Sequence, residues 1–154
     1  ALFLIHELLS FKPKGVGTDL NKAVEFLNQT TYRRSVSFII SDFLSPDYER
    51  PLRLAQKRHD VIPICIDDRR ETALPNVGLI NVRDLETGRH GVIDTGSASV
   101  RESYANQRSL FLARRRALFY KLGLDSVELN TEQPHFPALL GFFRRRERRL
   151  TQGR

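Results

Sequence analysis

Asp42 follows directly on the apolar run Val36-Ser37-Phe38-Ile39-Ile40-Ser41, and Thr18 opens the segment ahead of a helical pattern at 19–28. A hydroxyl and a carboxylate are hard oxygen donors. Converging on one crevice, they suit Mg²⁺, which takes octahedral oxygen coordination and keeps several waters. In an open α/β sheet, ligands bind beyond the carboxyl ends of the strands, which is where Asp42 would stand. The same residues also fit plain structural duties, Thr18 as a helix cap and Asp42 as a turn residue.

Other candidates are weaker. Asp67 and Asp68 close a second apolar run at 60–67 and could approach the same edge, although a turn paired with Arg69 or Arg70 is the simpler role. Cys65 lies within that run and reads as a small core residue. No Gly-x-Ser-x-Gly, His-Glu-x-x-His or P-loop pattern occurs, and Gly15-x-Gly17 lacks the third glycine of a dinucleotide loop. His6, His59, His90 and His135 lie in unrelated settings. No nucleophile–base pair is evident, so the chain is expected not to be an enzyme.

Charge is unevenly placed. The 154 residues carry a net charge of +7, yet residues 1–100 hold 13 basic and 13 acidic side chains, so the whole excess falls in 101–154. It concentrates in Arg114-Arg115-Arg116 and in Arg144-Arg145-Arg146-Glu147-Arg148-Arg149. Such a block is either a solvated helix face or a footprint for an acidic partner, nucleic acid or anionic lipid. The partner-binding candidates are therefore Arg144, Arg145, Arg146, Arg148 and Arg149. With one cysteine, a disulfide framework is excluded. The longest apolar runs fall well short of the ~18 residues of a membrane span. No secretory signal is evident, so a cytoplasmic setting is expected, with peripheral membrane contact left open.

The elements that must position these groups read as α/β. Leu2, Ile5, Leu8 and Leu9 suggest the end of a buried helix, broken at Pro13, Gly15 and Gly17. A helix over 19–28 capped by Thr18 or Asp19, a buried parallel strand at 36–41 and a helix to Arg58 follow. In the strand at 60–67, Pro63 cannot donate to a ladder and argues for an edge or bulged position. A hairpin over 77–94 turns at Glu86-Thr87-Gly88. A long helix from Ser97 or Ser99 stops at Gly123, followed by a strand at 127–130 and a helix over 136–149. The sum is a mainly parallel sheet flanked by helices.

Several segments together carry a resemblance. They are Leu8-Leu9-Ser10-Phe11-Lys12-Pro13-Lys14-Gly15-x-Gly17-Thr18-Asp19-Leu20, Phe38-Ile39-Ile40-Ser41-Asp42-Phe43-Leu44, Asp47-Tyr48-Glu49-x-Pro51-Leu52, Arg58-His59-Asp60-Val61-Ile62, Leu74-Pro75-Asn76-Val77-Gly78, Glu86-Thr87-Gly88 and the terminal Phe142-Phe143-Arg144-Arg145-Arg146-Glu147-Arg148-Arg149. In this order they resemble the bacterial family catalogued as domain of unknown function 58, whose members are similar to von Willebrand factor A domains. The resemblance implies a Rossmann-like sheet bearing a metal-ion-dependent adhesion site. Such a site takes a D-x-S-x-S loop, a Thr matched here by Thr18 and an Asp matched by Asp42.

The D-x-S-x-S element is absent from the 154 residues. The chain is therefore expected to be the C-terminal half of a longer protein, with residues 1–122 the end of the A-like domain and 123–154 a strand–helix extension. Mg²⁺ is then expected in the full-length protein rather than in this segment alone. The exposed strand edge left by a missing first strand would favour a homo-oligomer or rearranged packing. The resemblance further implies a non-enzymatic protein-binding module working with a MoxR-type AAA+ ATPase in protein assembly or maturation.

Overall fold

In the computed structural model, residues 2–12, 17–84 and 87–152 are described. The expected breaks at Pro13 and Gly15, and Glu86 of the hairpin turn, lie outside them. Along the chain come α1 (Leu2–Ser10), α2 (Leu20–Thr30), β1 (Val36–Ser41), α3 (Glu49–Arg58) and β2 (Asp60–Asp67). A single 3-10 turn (Arg69–Glu71) leads to β3 (Leu79–Arg83), β4 (His90–Asp94), α4 (Ala98–Lys121), β5 (Val127–Asn130) and α5 (His135–Gln152). Strands β1, β2 and β5 form a parallel sheet in that order, and β3 and β4 form a separate antiparallel pair.

The period of two in β2 divides the interior. Val61 and Cys65 join Leu20 and Val24 of α2, Leu52 and Ala55 of α3 and Phe119 of α4 in one core. Ile62 and Ile64 face the other way and meet Val127 and Phe142 in a smaller one. The α4 helix ends where Gly123 adopts a φ of +65°. There the Leu124 N–H reaches the Phe119 carbonyl at 2.9 Å and the Gly123 N–H the Tyr120 carbonyl at 3.0 Å. These paired bonds close the orphan carbonyls of the last turn and carry Leu124 into the larger core.

Three expectations need correction. Residues Leu2–Ser10 form a helix, but none of them is buried; apolar spacing marks a face that can pack without naming what covers it. Strand β1 is an edge rather than a buried strand, with Val36 57% exposed and Phe38 and Ile40 also on the open face. Phe143 of α5 reaches it, in an edge-to-face contact with Phe38 at 6.2 Å. Strand β2, for its part, is central despite Pro63. Pairing with β5 starts at Ile64, so Pro63 lies opposite Ile39 of β1 alone and its missing N–H interrupts no β5 ladder.

Candidate functional site

At the carboxyl end of β1 the chain turns sharply. Phe43 is held at a φ of +61°, a left-handed conformation costing about 1–2 kcal/mol for a residue with a Cβ. Its ring is 1% exposed and packs edge-on against Phe119 at 5.1 Å and Tyr48 at 5.5 Å. Burying an aromatic side chain is worth about 1.5–3 kcal/mol, which offsets that cost. With Phe43 plugged inward, Asp42 sits half-buried at the rim. Its Oδ1 accepts the Leu44 N–H at 3.1 Å and lies 3.4 Å from the Ser41 hydroxyl.

The start of α2 meets the same loop, since the Leu20 N–H donates to Ser45 Oγ at 3.1 Å. Thr18 stands two residues before that contact. The cap of α2 is Asp19 rather than Thr18, its Oδ1 accepting the Lys22 N–H at 2.9 Å. The segments bearing Thr18 and Asp42 are thus tied together at the rim of the parallel sheet. No three His, Cys, Asp or Glu side chains among the described residues come together as a metal cage. Asp42 nevertheless fits one ligand position, because among the described residues Oδ1 takes the hydrogen bonds and Oδ2 none. A hydroxyl and one open carboxylate oxygen would supply two of the six oxygens Mg²⁺ prefers.

Asp67 does not turn toward Arg69 or Arg70. It receives Arg115 as a fork, Nη1 to Oδ1 at 3.0 Å and Nη2 to Oδ2 at 2.5 Å, and also takes Arg108 at 3.0 Å. Arg108 reaches Glu71 as well, at 2.8 Å. Arg115 is 2% exposed, so the 114–116 cluster is no simple solvated face. Burial, the largest influence, opposes the charge on Arg115, but the hydrogen bonds to Asp67 and the field of its neighbours, Asp67 and Glu128 among them, together outweigh it and raise its pKa above the ordinary value. Phe111 lies under both cations, its ring centroid 5.2 Å from the Arg108 guanidinium and 5.8 Å from that of Arg115. Arg108, Phe111, Arg115 and Phe119 recur at intervals of 3, 4 and 4. That helical stripe is the signal that could have marked the buried arginine.

Arg116 forks onto Glu128 at 2.7 and 2.8 Å. Those bonds hold the Glu128 carboxyl below its ordinary value of 4.5, against burial that would raise it. A depressed folded-state value stabilises the fold above the ordinary pKa, and this contribution fades as pH falls through the lowered one. Glu128→Gln is therefore expected to cost about 1 kcal/mol or less at pH 6, the pair being partly solvated. The gap from wild type should close at pH 3 in paired urea titrations; a gap that widens in acid would refute the assignment.

Burial pushes the Cys65 thiol up to about 12 from 9.0. At a given pH that leaves about a thousandfold less thiolate, the reactive form. Native protein at pH 8 should resist a thiol reagent that labels it promptly in urea. Prompt native labelling would contradict the burial of Cys65. Ser35 Oγ lies 3.2 Å from His59 Nδ1, and His59 is buried with no hydrogen-bond partner on Nε2 among the described residues.

The partner-binding arginines divide. Arg146 pairs with Asp60, and Arg149 reaches Asp125 at 2.9 Å. Arg144, Arg145 and Arg148 are exposed on α5. A groove of about 920 Å³ runs between β1 and α5, with Val36, Ile62, Leu140 and Phe143 as apolar walls and Arg144 at its border. It adjoins Val36 and Asp60, which begin their strands, whereas Asp42 lies beyond the opposite end. The groove and the Asp42 rim are thus separate features.

Parallel strands flanked by helices, with a separate antiparallel hairpin and a long C-terminal helix, define a mixed α/β protein. Over residues 1–110 the sequence matches the family described as protein of unknown function DUF58. The chain belongs to that family. It is 32% identical over 145 residues to an uncharacterized protein of Mycobacterium avium, covering 92% of this chain and 84% of that protein. Uncharacterized proteins of Mycobacterium bovis and Mycobacterium tuberculosis are 32% identical over 144 residues. The chain spans 44% of the length of these two relatives. No solved structure matches the chain. No helix among the described residues is long and apolar enough to cross a membrane.

Proposed function

We propose that this chain contributes part of a metal-dependent protein-binding site, in which Thr18 and Asp42 supply oxygen ligands to Mg²⁺. The observation that carries the reading is the open Asp42 Oδ2 at the rim, beside the start of α2. A hard cation held there with an unfilled position would accept a carboxylate from a partner, because two anionic oxygens can share one ion. The remaining protein ligands would come from a D-x-S-x-S loop in the longer protein. By the family resemblance, the partner is a MoxR-type AAA+ ATPase or its client, and the role is non-enzymatic assembly or maturation.

Binding of an acidic partner peptide to the full-length protein, with and without EDTA, tests the reading. Affinity should collapse on chelation and in Asp42→Ala. Equal affinity in all three conditions would remove the metal from the account.

A second reading rests on Arg144, Arg145 and Arg148, exposed beside the apolar groove. These cations suit phosphates of nucleic acid or anionic lipid. Duplex binding would weaken with salt at a log–log slope near −0.9 per phosphate neutralised. Filter binding at two salt concentrations separates it from the first reading, which predicts no uptake of duplex.

A further inference from the structure

We propose that Arg115 is a positioning residue for the Asp42 carboxylate, an inference that rests on the metal-dependent reading above. Arg115 Nη1 donates to the Asp42 carbonyl at 3.0 Å while the same guanidinium forks onto Asp67. One fully enclosed cation on α4 therefore binds the backbone of the very residue whose side chain stands at the rim.

The loop is held from both sides. Arg115 fixes the carbonyl of Asp42, Phe43 is locked by its buried ring, and the Leu44 N–H returns to Asp42 Oδ1. These contacts leave Oδ2 as the open oxygen and set its direction. A ligand on a short turn is useful only if its geometry is settled before the ion arrives, within about 0.5 Å.

Charge explains why an arginine can serve so near a cation site. Asp67 takes both Nη groups of Arg115, and Glu71 shares Arg108 with it, so two cations face two carboxylates. Without Asp67, an uncompensated guanidinium would sit one peptide group from the metal ligand and repel the ion. Asp67 thus orients Arg115 and cancels its field in the same contact. A lysine at 115 would keep the charge but, as a point donor, could not hold the fork and the Asp42 carbonyl together.

The test uses the full-length protein, with Mg²⁺ as the titrant in calorimetry and amide exchange at Leu44 as a metal-free readout. Arg115→Lys is expected to bind Mg²⁺ about tenfold or more weakly, the size of effect seen when residues supporting metal ligands are removed. Leu44 should exchange faster in the same variant. Arg116→Lys, on the same helix but directed at Glu128, should change neither readout. Should Arg115→Lys fail to fold, Asp67→Asn is read in the same way. Wild-type Mg²⁺ affinity and Leu44 protection in a folded variant would overturn the positioning role while leaving the metal reading intact. A wild-type protein that binds no Mg²⁺ would overturn both.

Discussion

Asp67→Ala is expected to cost about 3–5 kcal/mol of folding stability, the range for a buried ion pair broken by removing one partner. The residue answers to two cations, Arg115 with a side chain fully enclosed and Arg108 with one that is nearly so. Truncation leaves Arg115 with the Asp42 carbonyl, and Arg108 with Glu71, as the hydrogen-bond acceptors that remain among the described residues. Neither arrangement returns the lost solvation of a guanidinium. By contrast, the solvent-exposed pairs Lys22–Asp19 and Arg53–Glu49 should contribute little to stability. Urea unfolding at neutral pH checks the contrast, and a loss below 1 kcal/mol for Asp67→Ala would contradict the buried network. The melting temperature should fall by roughly 10 °C, given about 2–4 °C per kcal/mol in a domain of this size.

The placement of Asp42 was legible because a β-branched, aromatic run ending in Ser-Asp specifies a strand and then a rim. The stop of α4 was legible for a similar reason, Gly123 being suited to the left-handed turn found there. What could not be read locally was each element's neighbours. Pro63 counts against a central strand only where neighbours pair on both sides at that residue, and the later start of β5 removes that condition. The helix Leu2–Ser10 shows an apolar pattern whose cover is not encoded in the pattern. Arg115 was hidden for a different reason: three adjacent arginines read as a charge block, although adjacent helical residues point about 100° apart. Only the middle one is buried, and that rotation turns one residue of an apparent surface cluster into a support for the Asp42 backbone.

Phe142→Ala is the second large expected effect, about 3–5 kcal/mol for deleting a buried aromatic ring. The smaller core consists of Ile62, Ile64, Val127 and Phe142, with Leu129 and Leu139 packed around them. Phe142 is the ring that α5 sets into it, 2% exposed, with Phe143 edge-on at 5.3 Å and the Arg146 guanidinium 6.0 Å from its centroid. Its removal takes away the principal apolar anchor of an 18-residue helix. The ion pairs from Arg146 to Asp60 and from Arg149 to Asp125 remain, but partly solvated pairs hold a helix far less firmly than a buried ring. Phe143→Ala, at a ring 44% exposed, should cost about 1 kcal/mol. The two variants therefore separate anchoring from surface contact. Local opening of α5 would bare its arginine run to trypsin, so Phe142→Ala should be nicked there much faster than wild type under native conditions. Equal cleavage rates, together with a stability loss no larger than that of Phe143→Ala, would show that α5 is held by its ion pairs instead.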